Sequence, residues 1–347
     1  MMRNNNKIGL FIEGFRNITE KMIYLHTDKR YRPDQWYRRF EYLLTRRGLP
    51  YRKVDLERTR PYRLRPGSND ALVGRLGHRP KELQRIRPVF DELTQKFSGR
   101  IFPSPAAYYY YDDKQRQLDM FSEHGFPTPR SASVASRADV ERFLDQTGLR
   151  FPLVTKRTHG ASSSQVRLAQ RWDDLFLPGV VQEFCRDNDG DYRIVVIGHR
   201  VMGFFRQNRP GDFRASGSGL IAYRVTLDPE CVKIAYEISR RMQFECMAYD
   251  FVRDNRGRWV VLECSYCFVD AAVRDCGYYD DMQSGERRDK TGVYPQDFIL
   301  EDFLAKYPDT TKDAAPCYRF RLGTFGHGFA EWLTRLGRAK SLISGRS

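Results

Sequence analysis

A dense run of strand signals between residues 190 and 265 constrains this chain more than any other feature. Ile194 to Ile197 and Val201 to Phe205 are rich in apolar, β-branched and aromatic residues, and Gly198-His199 between them reads as a hairpin turn. Asp228-Pro229 supplies an N-cap and a first helical residue, and the helix that follows to Gln243 is amphipathic. Residues 247–265 then form a second hairpin around Asn255-Arg256-Gly257. Strands also dominate 151–225, so this half of the chain fits the mixed α/β (α+β) class.

The second hairpin carries chemistry. With Arg256 and Gly257 as the central pair, Asp250 and Glu263 become direct cross-strand partners. Any even-numbered loop puts both side chains on one face of the sheet. Two facing carboxylates repel unless a cation lies between them. Magnesium, which takes oxygen ligands and substrate phosphates, fits that arrangement. An odd loop would instead leave one carboxylate in solvent. Lys156 ends the apolar run Pro152-Leu153-Val154-Thr155, where an unpaired charge is costly. It needs an anionic partner, either a bound phosphate or Glu183.

Upstream, residues 8–12 read as a short strand. Residues 33–48 read as a helix with Trp36, Phe40, Leu43 and Leu44 on one face and Gly48 as its stop. Val54 begins a second strand, 70–74 form a third, and 80–98 form a helix ended by Gly99. The segment 101–105 breaks this alternation and marks a boundary. Asp113-Lys114 then opens a helix stopped by Gly125, and another helix runs from Arg137 to Gln146.

The formal net charge of +15 is uneven. Residues 1–150 hold 30 Lys and Arg against 18 Asp and Glu, which is +12 of the total. That excess points to an anionic partner, against the plainer reading of a solvated basic face. No helix-turn-helix, zinc-finger or aromatic RNA-binding motif accompanies it, so nucleic acid is not the expected partner. No apolar run approaches the ~20 residues of a membrane span. Met1 to Lys7 has no apolar core before its first charges, so no secretory leader is expected. Seven scattered cysteines suggest reduced thiols and a cytoplasmic setting. Cys264 and Cys267 form a single pair, more in keeping with buried thiols than with zinc. Near the C-terminus, Phe329, Trp332, Leu333 and Leu336 share a helical face beside Arg335, Arg338 and Lys340. A core-docked helix and a peripheral contact with the inner membrane face both fit.

The order of a lysine strand (Lys156), Gln182-Glu183-Phe184, Asp191-Tyr192-Arg193, Asp250 and Glu263 resembles the ATP-grasp superfamily, most closely its RimK-like ligases. The likeness covers roughly residues 70–305 and implies ATP and magnesium, with manganese as an alternative ion. It implies a Rossmann-like pre-ATP-grasp domain over 1–104, a small ATP-grasp subdomain over 105–180, a large one over 181–305 and a basic tail over 306–347. Lys114 and Lys156 are the phosphate lysines it implies. Gly160, Ser162 and Ser163 lie in the phosphate-loop position, although the loop is poor in glycine and also reads as a polar hairpin tip. Gln182, Glu183 and Phe184 would line adenine, with the Glu183 carboxylate accepting from adenine or ribose, and Asp191 belongs to the same nucleotide set. Arg193, Arg206 and Arg214 would face phosphate or the acyl intermediate, whereas local ion pairs to Asp191 and Asp212 are the bland account. Asp250, Glu263 and Ser265 would hold metal, with Ser265 standing where the family pattern Glu-x-Asn has asparagine. The implied reaction joins a small carboxylate to an amine, one of them anionic, through an acyl phosphate. The later tyrosine-rich stretches resemble a branch associated with surface-polysaccharide biosynthesis. A binding protein without turnover is the alternative.

Overall fold

The computed structural model describes residues 21–28, 36–60, 63–77, 80–159 and 165–308. The strand expected at 8–12, part of the loop after Lys156 and the basic tail lie outside these residues.

The first sheet is parallel. Its strands are β1 (Ile23–His26), β2 (Tyr51–Val54), β3 (Ala71–Val73) and β4 (Ile101–Phe102), in the order β2-β1-β3-β4. Every residue of β1 and β3 is buried, His26 included, because helices cover the sheet. Helix α1 (Trp36–Arg46) buries Trp36, Phe40, Leu43 and Leu44, the face expected from their spacing, and Gly48 follows at φ +64°. Val54 ends β2 rather than beginning it. The helix expected over 80–98 is broken into α2 (Pro80–Ile86) and α3 (Phe90–Lys96) by a 3-10 turn at Arg87–Val89. Pro88 has no N–H for an α-helical bond, which accounts for the break. The expected boundary at 101–105 contains β4, a full member of the sheet.

Helices α4 (Pro105–Tyr110) and α5 (Lys114–Glu123) lead into a second, antiparallel sheet. Asp113 caps α5, its side chain accepting from the Arg116 amide at 3.2 Å. The sheet comprises β5 (Ser131–Val134), β6 (Leu153–Lys156), β7 (Val166–Ala169) and β8 (Gly179–Glu183), ordered β5-β8-β6-β7, with α6 (Arg137–Thr147) on one face. Strand β8 runs across residues 180 and 181, so the subdomain division drawn there cuts through it.

The third sheet is the largest. Strands β9 (Gly190–Ile197) and β10 (Arg200–Gln207) form the first expected hairpin, with Gly198 at φ +58° in its turn. A short β11 (Ile221–Ala222) pairs with β10. Helix α7 (Pro229–Met242) starts on the Asp228 cap and buries its apolar face on the sheet. Strands β12 (Cys246–Arg253) and β13 (Trp259–Ser265) form the second hairpin, and β14 (Tyr278–Asp281) and β15 (Glu286–Asp289) extend the far edge. Helices α8 (Asp270–Arg274) and α9 (Pro295–Lys306) close the described chain.

The first and third sheets share one apolar core, and the second has its own. Polar anchors cross the shared core. Trp36 Nε1 donates to the Phe268 carbonyl at 2.9 Å, the Tyr266 hydroxyl donates to the Leu76 carbonyl, and Arg39 makes a two-point fork to Asp297 at 2.8 and 2.6 Å. Among the described residues no helix is long and apolar enough to cross a membrane.

Candidate active site

A cleft opens between the second and third sheets. Val154, Val166, Phe184, Val252 and Leu262 give it apolar walls, as a nucleotide base requires. Phe184 is braced by the edge of Phe213, with ring centroids 5.7 Å apart.

Strand register builds the charged floor. Arg206 on β10 faces Asp191 on β9, and Asp250 on β12 faces Arg193 on β9. Residues 191 and 193 are two apart, so all four side chains share one face. Gly190 makes the close approach possible, since a Cβ there would lie 2.1 Å from the Arg206 carbonyl oxygen. Arg206 forks onto Asp191 at 2.6 and 2.7 Å, and Arg193 forks onto Asp250 at 2.7 and 2.8 Å. A second nitrogen contact, Arg206 Nη2 to Asp250 Oδ2 at 2.8 Å, joins the two pairs into a neutral quartet. Burial opposes ionisation of Asp250, but Arg193 and Arg206 outweigh it and hold the carboxyl well below its usual range. At Asp191 burial wins and pushes the carboxyl upward, with the Asp250 charge adding to the effect.

Asp250 also faces Glu263, by a route the sequence did not suggest. The turn between β12 and β13 is odd, because Arg253 pairs with Trp259 across the five residues 254–258. Phe251 pairs with Val261, so an undisturbed ladder would set Leu262 opposite Asp250. A β-bulge between Asp250 and Phe251 absorbs Leu262 and restores the Asp250–Glu263 pairing. The odd loop and the one-residue bulge cancel.

Glu263 opens a less balanced corner. Its side chain is 36% exposed and lies 3.9 Å from the Lys114 ammonium, which also meets Asp112 at 3.5 Å. Lys156, the last residue of β6, is buried in the cleft wall. No hydrogen bond or ion pair holds its ammonium among the described residues. Burial lowers its pKa to about 8, with Glu263 opposing and Lys114 reinforcing the shift. Glu183 does not serve as the partner once expected. Leu153 pairs with Glu183 and Lys156 with Val180, so the two side chains sit at opposite ends of β6.

The Glu183 carboxylate is committed elsewhere. Arg130 forks onto it at 2.9 and 2.9 Å, and Asn255 donates to it at 2.9 Å. These bonds, Arg130 first, hold its pKa below the usual range. Sequence reading missed both partners. Asn255 was visible only as a turn former, and nothing marked Arg130. Gln182 donates to the Ser131 hydroxyl at 2.9 Å and lines the same cleft. Arg214 lies at the rim, paired with Asp212 and donating to the Val166 carbonyl at 3.0 Å. Gly160, Ser162 and Ser163 lie outside the described residues.

Asp250 and Glu263 are the carboxylates that could hold a magnesium ion beside phosphates and water, Asp250 only by sharing oxygens already bonded to Arg193 and Arg206. Ser265 Oγ donates to the Cys267 carbonyl at 2.6 Å and accepts from the Cys267 amide at 3.2 Å, which ties it to the following turn and leaves it one lone pair to offer a metal. Among the described residues no group of three or more His, Cys, Asp or Glu forms a metal cluster, Cys264 and Cys267 included.

Residues 111–267 match a family model described as a RimK-like ATP-grasp domain. That span contains every candidate residue from Lys114 to Ser265. The coenzyme gamma-F420-2:alpha-L-glutamate ligase of Methanocaldococcus jannaschii is 24% identical over 224 residues, covering 58% of this chain and 77% of that protein. A probable alpha-L-glutamate ligase of Aliivibrio fischeri is 30% identical over 162 residues, covering 43% of this chain and 54% of that protein. Among solved structures, the ATP-grasp ligase PsnB complexed with a phosphomimetic variant of minimal precursor, Mg and ADP superposes with a TM-score of 0.56. It is 14% identical and covers 84% of this chain and 100% of that one, a likeness of fold.

Proposed function

From the match of residues 111–267 to a RimK-like ATP-grasp domain we propose that the protein joins a carboxylate to an amine through an acyl phosphate, using ATP. The observation that carries this reading is the buried Lys156 ammonium in the cleft wall, which has no hydrogen-bond or ion-pair partner among the described residues. A charge so placed is costly unless an anion arrives with the ligand. A phosphate chain laid between Lys156, Lys114 and the arginine floor supplies it.

In the proposed reaction a substrate carboxylate oxygen attacks the terminal phosphorus of ATP, and the bond to ADP breaks. The amine nitrogen then attacks the acyl carbon, inorganic phosphate leaves, and the nitrogen gives up a proton. Arg193 and Arg206 present fixed guanidinium donors to the charge on the transferring group. Lys114 and Lys156 hold the phosphates as point charges. Asp250 and Glu263 are the residues that would hold magnesium, which supplies charge neutralisation at the phosphates. Phe184 and the apolar walls exclude water. The Glu183 carboxylate, tied to Arg130 and Asn255, acts as a strut for β8 and leaves adenine to the strand's backbone.

An acidic substrate fits best. The excess positive charge of residues 1–150 favours one, and two relatives carry glutamate ligase in their names. An acidic amino acid or peptide therefore ranks above an anionic glycan. Incubation with ATP, magnesium and pooled acids and amines should release ADP and yield an amide detectable by mass spectrometry. ATP binding without ADP release across an acidic panel would favour a non-catalytic binding protein instead.

A further inference from the structure

A second cavity lies between the 3-10 turn at Arg87–Val89, the start of α3, and helices α4 and α5. It sits outside the nucleotide cleft and combines a flat aromatic floor with two guanidiniums. Phe90 and Tyr108 stack with centroids 4.0 Å apart and planes at 21°. Arg116 lies over the Tyr109 ring at 4.2 Å. Arg87 and Arg116 both approach one oxygen, Asp113 Oδ2, at 3.6 and 3.3 Å. Their guanidiniums are thus drawn together at the wall.

Arg87 and Arg116 balance Asp113 and Asp91 in formal charge, but the two carboxylates are placed differently. Asp113 is the buried carboxylate shared by the two guanidiniums, while Asp91 sits exposed at the mouth. The arginines otherwise donate to backbone carbonyls: Arg87 to Tyr111, and Arg116 to Tyr109 at 3.1 Å. Each guanidinium has five N–H donors, so both keep donors to spare. The Tyr108 hydroxyl in the same wall is buried and has no hydrogen-bond partner among the described residues. Spare guanidinium donors beside an apolar floor suit a planar carboxylate on a carbon body. A fully hydrated anion gains nothing from that floor.

We infer that this cavity is a carboxylate-binding subsite, and that it holds a carboxylate of the acidic substrate remote from the bond being formed. Adjacent residues 113 and 114 reach charged groups of the two cavities. Asp113 meets Arg87 and Arg116 on one side, and Lys114 next to it reaches Glu263 in the nucleotide cleft. Assigning the carboxylate to the substrate rests on the ligase reading. Carboxylate binding itself does not.

Calorimetry on the full chain without ATP separates the two. The probes are N-acetyl-L-glutamate, its dimethyl ester and inorganic phosphate. The diacid should bind, and Arg116→Gln should weaken it by about tenfold or more, the loss expected for a charge-assisted hydrogen bond. Arg116→Lys, which keeps the charge and loses the fork, should also weaken it while leaving the thermal midpoint in place. Both variants should retain wild-type affinity for Mg-ATP. In turnover they should raise the KM for the acidic substrate and spare that for ATP. The subsite is overturned if the diacid does not bind, if ester or phosphate binds as tightly, or if both variants bind the diacid like wild type. A chain that binds the diacid in this way yet never releases ADP refutes the ligase reading and leaves the subsite standing.

Discussion

Two groups of buried charges face the same cleft, and they are built oppositely. In the floor, Asp191, Arg193, Arg206 and Asp250 satisfy one another through two-point forks. In the corner, Lys156 has no hydrogen-bond or ion-pair partner among the described residues and Glu263 is partly in solvent. A neutral quartet fixes geometry before any ligand arrives, and an unmatched ammonium stores a need for one. The floor is thus set in place before a ligand arrives, and the corner is completed by one. Substitutions that strip charge from each group should change stability with opposite signs.

The largest effect is expected in the floor. Arg206→Met leaves Asp191 with no fork and Asp250 with one, and removing one member of a buried pair costs about 3–5 kcal/mol. Chemical denaturation should show a loss of that order. A loss under about 1 kcal/mol would mean that the quartet is water-screened and not a fixed floor. Lys156→Met tests the corner with the reverse sign. Its pKa falls from 10.5 to about 8, which at 1.36 kcal/mol per unit is a penalty of about 3 kcal/mol. The substitution should raise stability by up to that amount and abolish most of the thermal shift given by Mg-ATP. An unchanged shift would remove Lys156 from the nucleotide site.

Glu263→Gln should separate function from folding. A half-exposed carboxylate contributes little to stability, so the melting curve should barely move. Turnover should fall on the order of a hundredfold through lost transition-state charge stabilisation. Near-native turnover in both Glu263→Gln and Asp250→Asn would sink the metal assignment.

Proton linkage offers a finer test. Between pH 8 and 10.5 the unfolded chain holds the Lys156 proton more tightly than the folded one. The Lys156 contribution to stability is therefore full above pH 10.5 and is lost as pH falls through about 8. Phosphate beside the ammonium restores its affinity for a proton, so Mg-ATP binding near pH 8.5 should take up a fraction of a proton. Binding heats measured in buffers of different ionisation enthalpy read this directly. Heats that do not depend on buffer would place the phosphates away from Lys156.

The smallest effect is expected far from both groups. Charge reversal at Arg46, Arg47 and Arg52 should raise the KM for the acidic substrate a few-fold, weaken its salt dependence, and spare ATP. Equal effects on ATP and substrate would indicate misfolding.

Much of this was legible in sequence where the signal is local. The Asp228-Pro229 cap, the Gly198 turn and the buried face of α1 all follow from neighbours a few residues apart. The helix over 80–98 failed because apolar spacing hid the effect of Pro88. Strand β4 went unseen because two apolar residues before Pro103 carry no periodicity, and only pairing with β3 defines them.

The sequence by itself determined the order of lysine strand, acidic pair and arginines, and hence the ATP-grasp resemblance. It also set which residue types could meet phosphate, because those depend on chemistry carried in each side chain. Tertiary structure decided their partners. A bulge at Leu262, invisible to any count of loop length, brings Glu263 opposite Asp250. Register along β6 separates Lys156 from Glu183, and Arg130 and Asn255, distant in sequence, take the carboxylate instead. The physical reason is that a buried charge is governed by whatever reaches within a few ångströms of it, and strand pairing sets that distance across tens of residues.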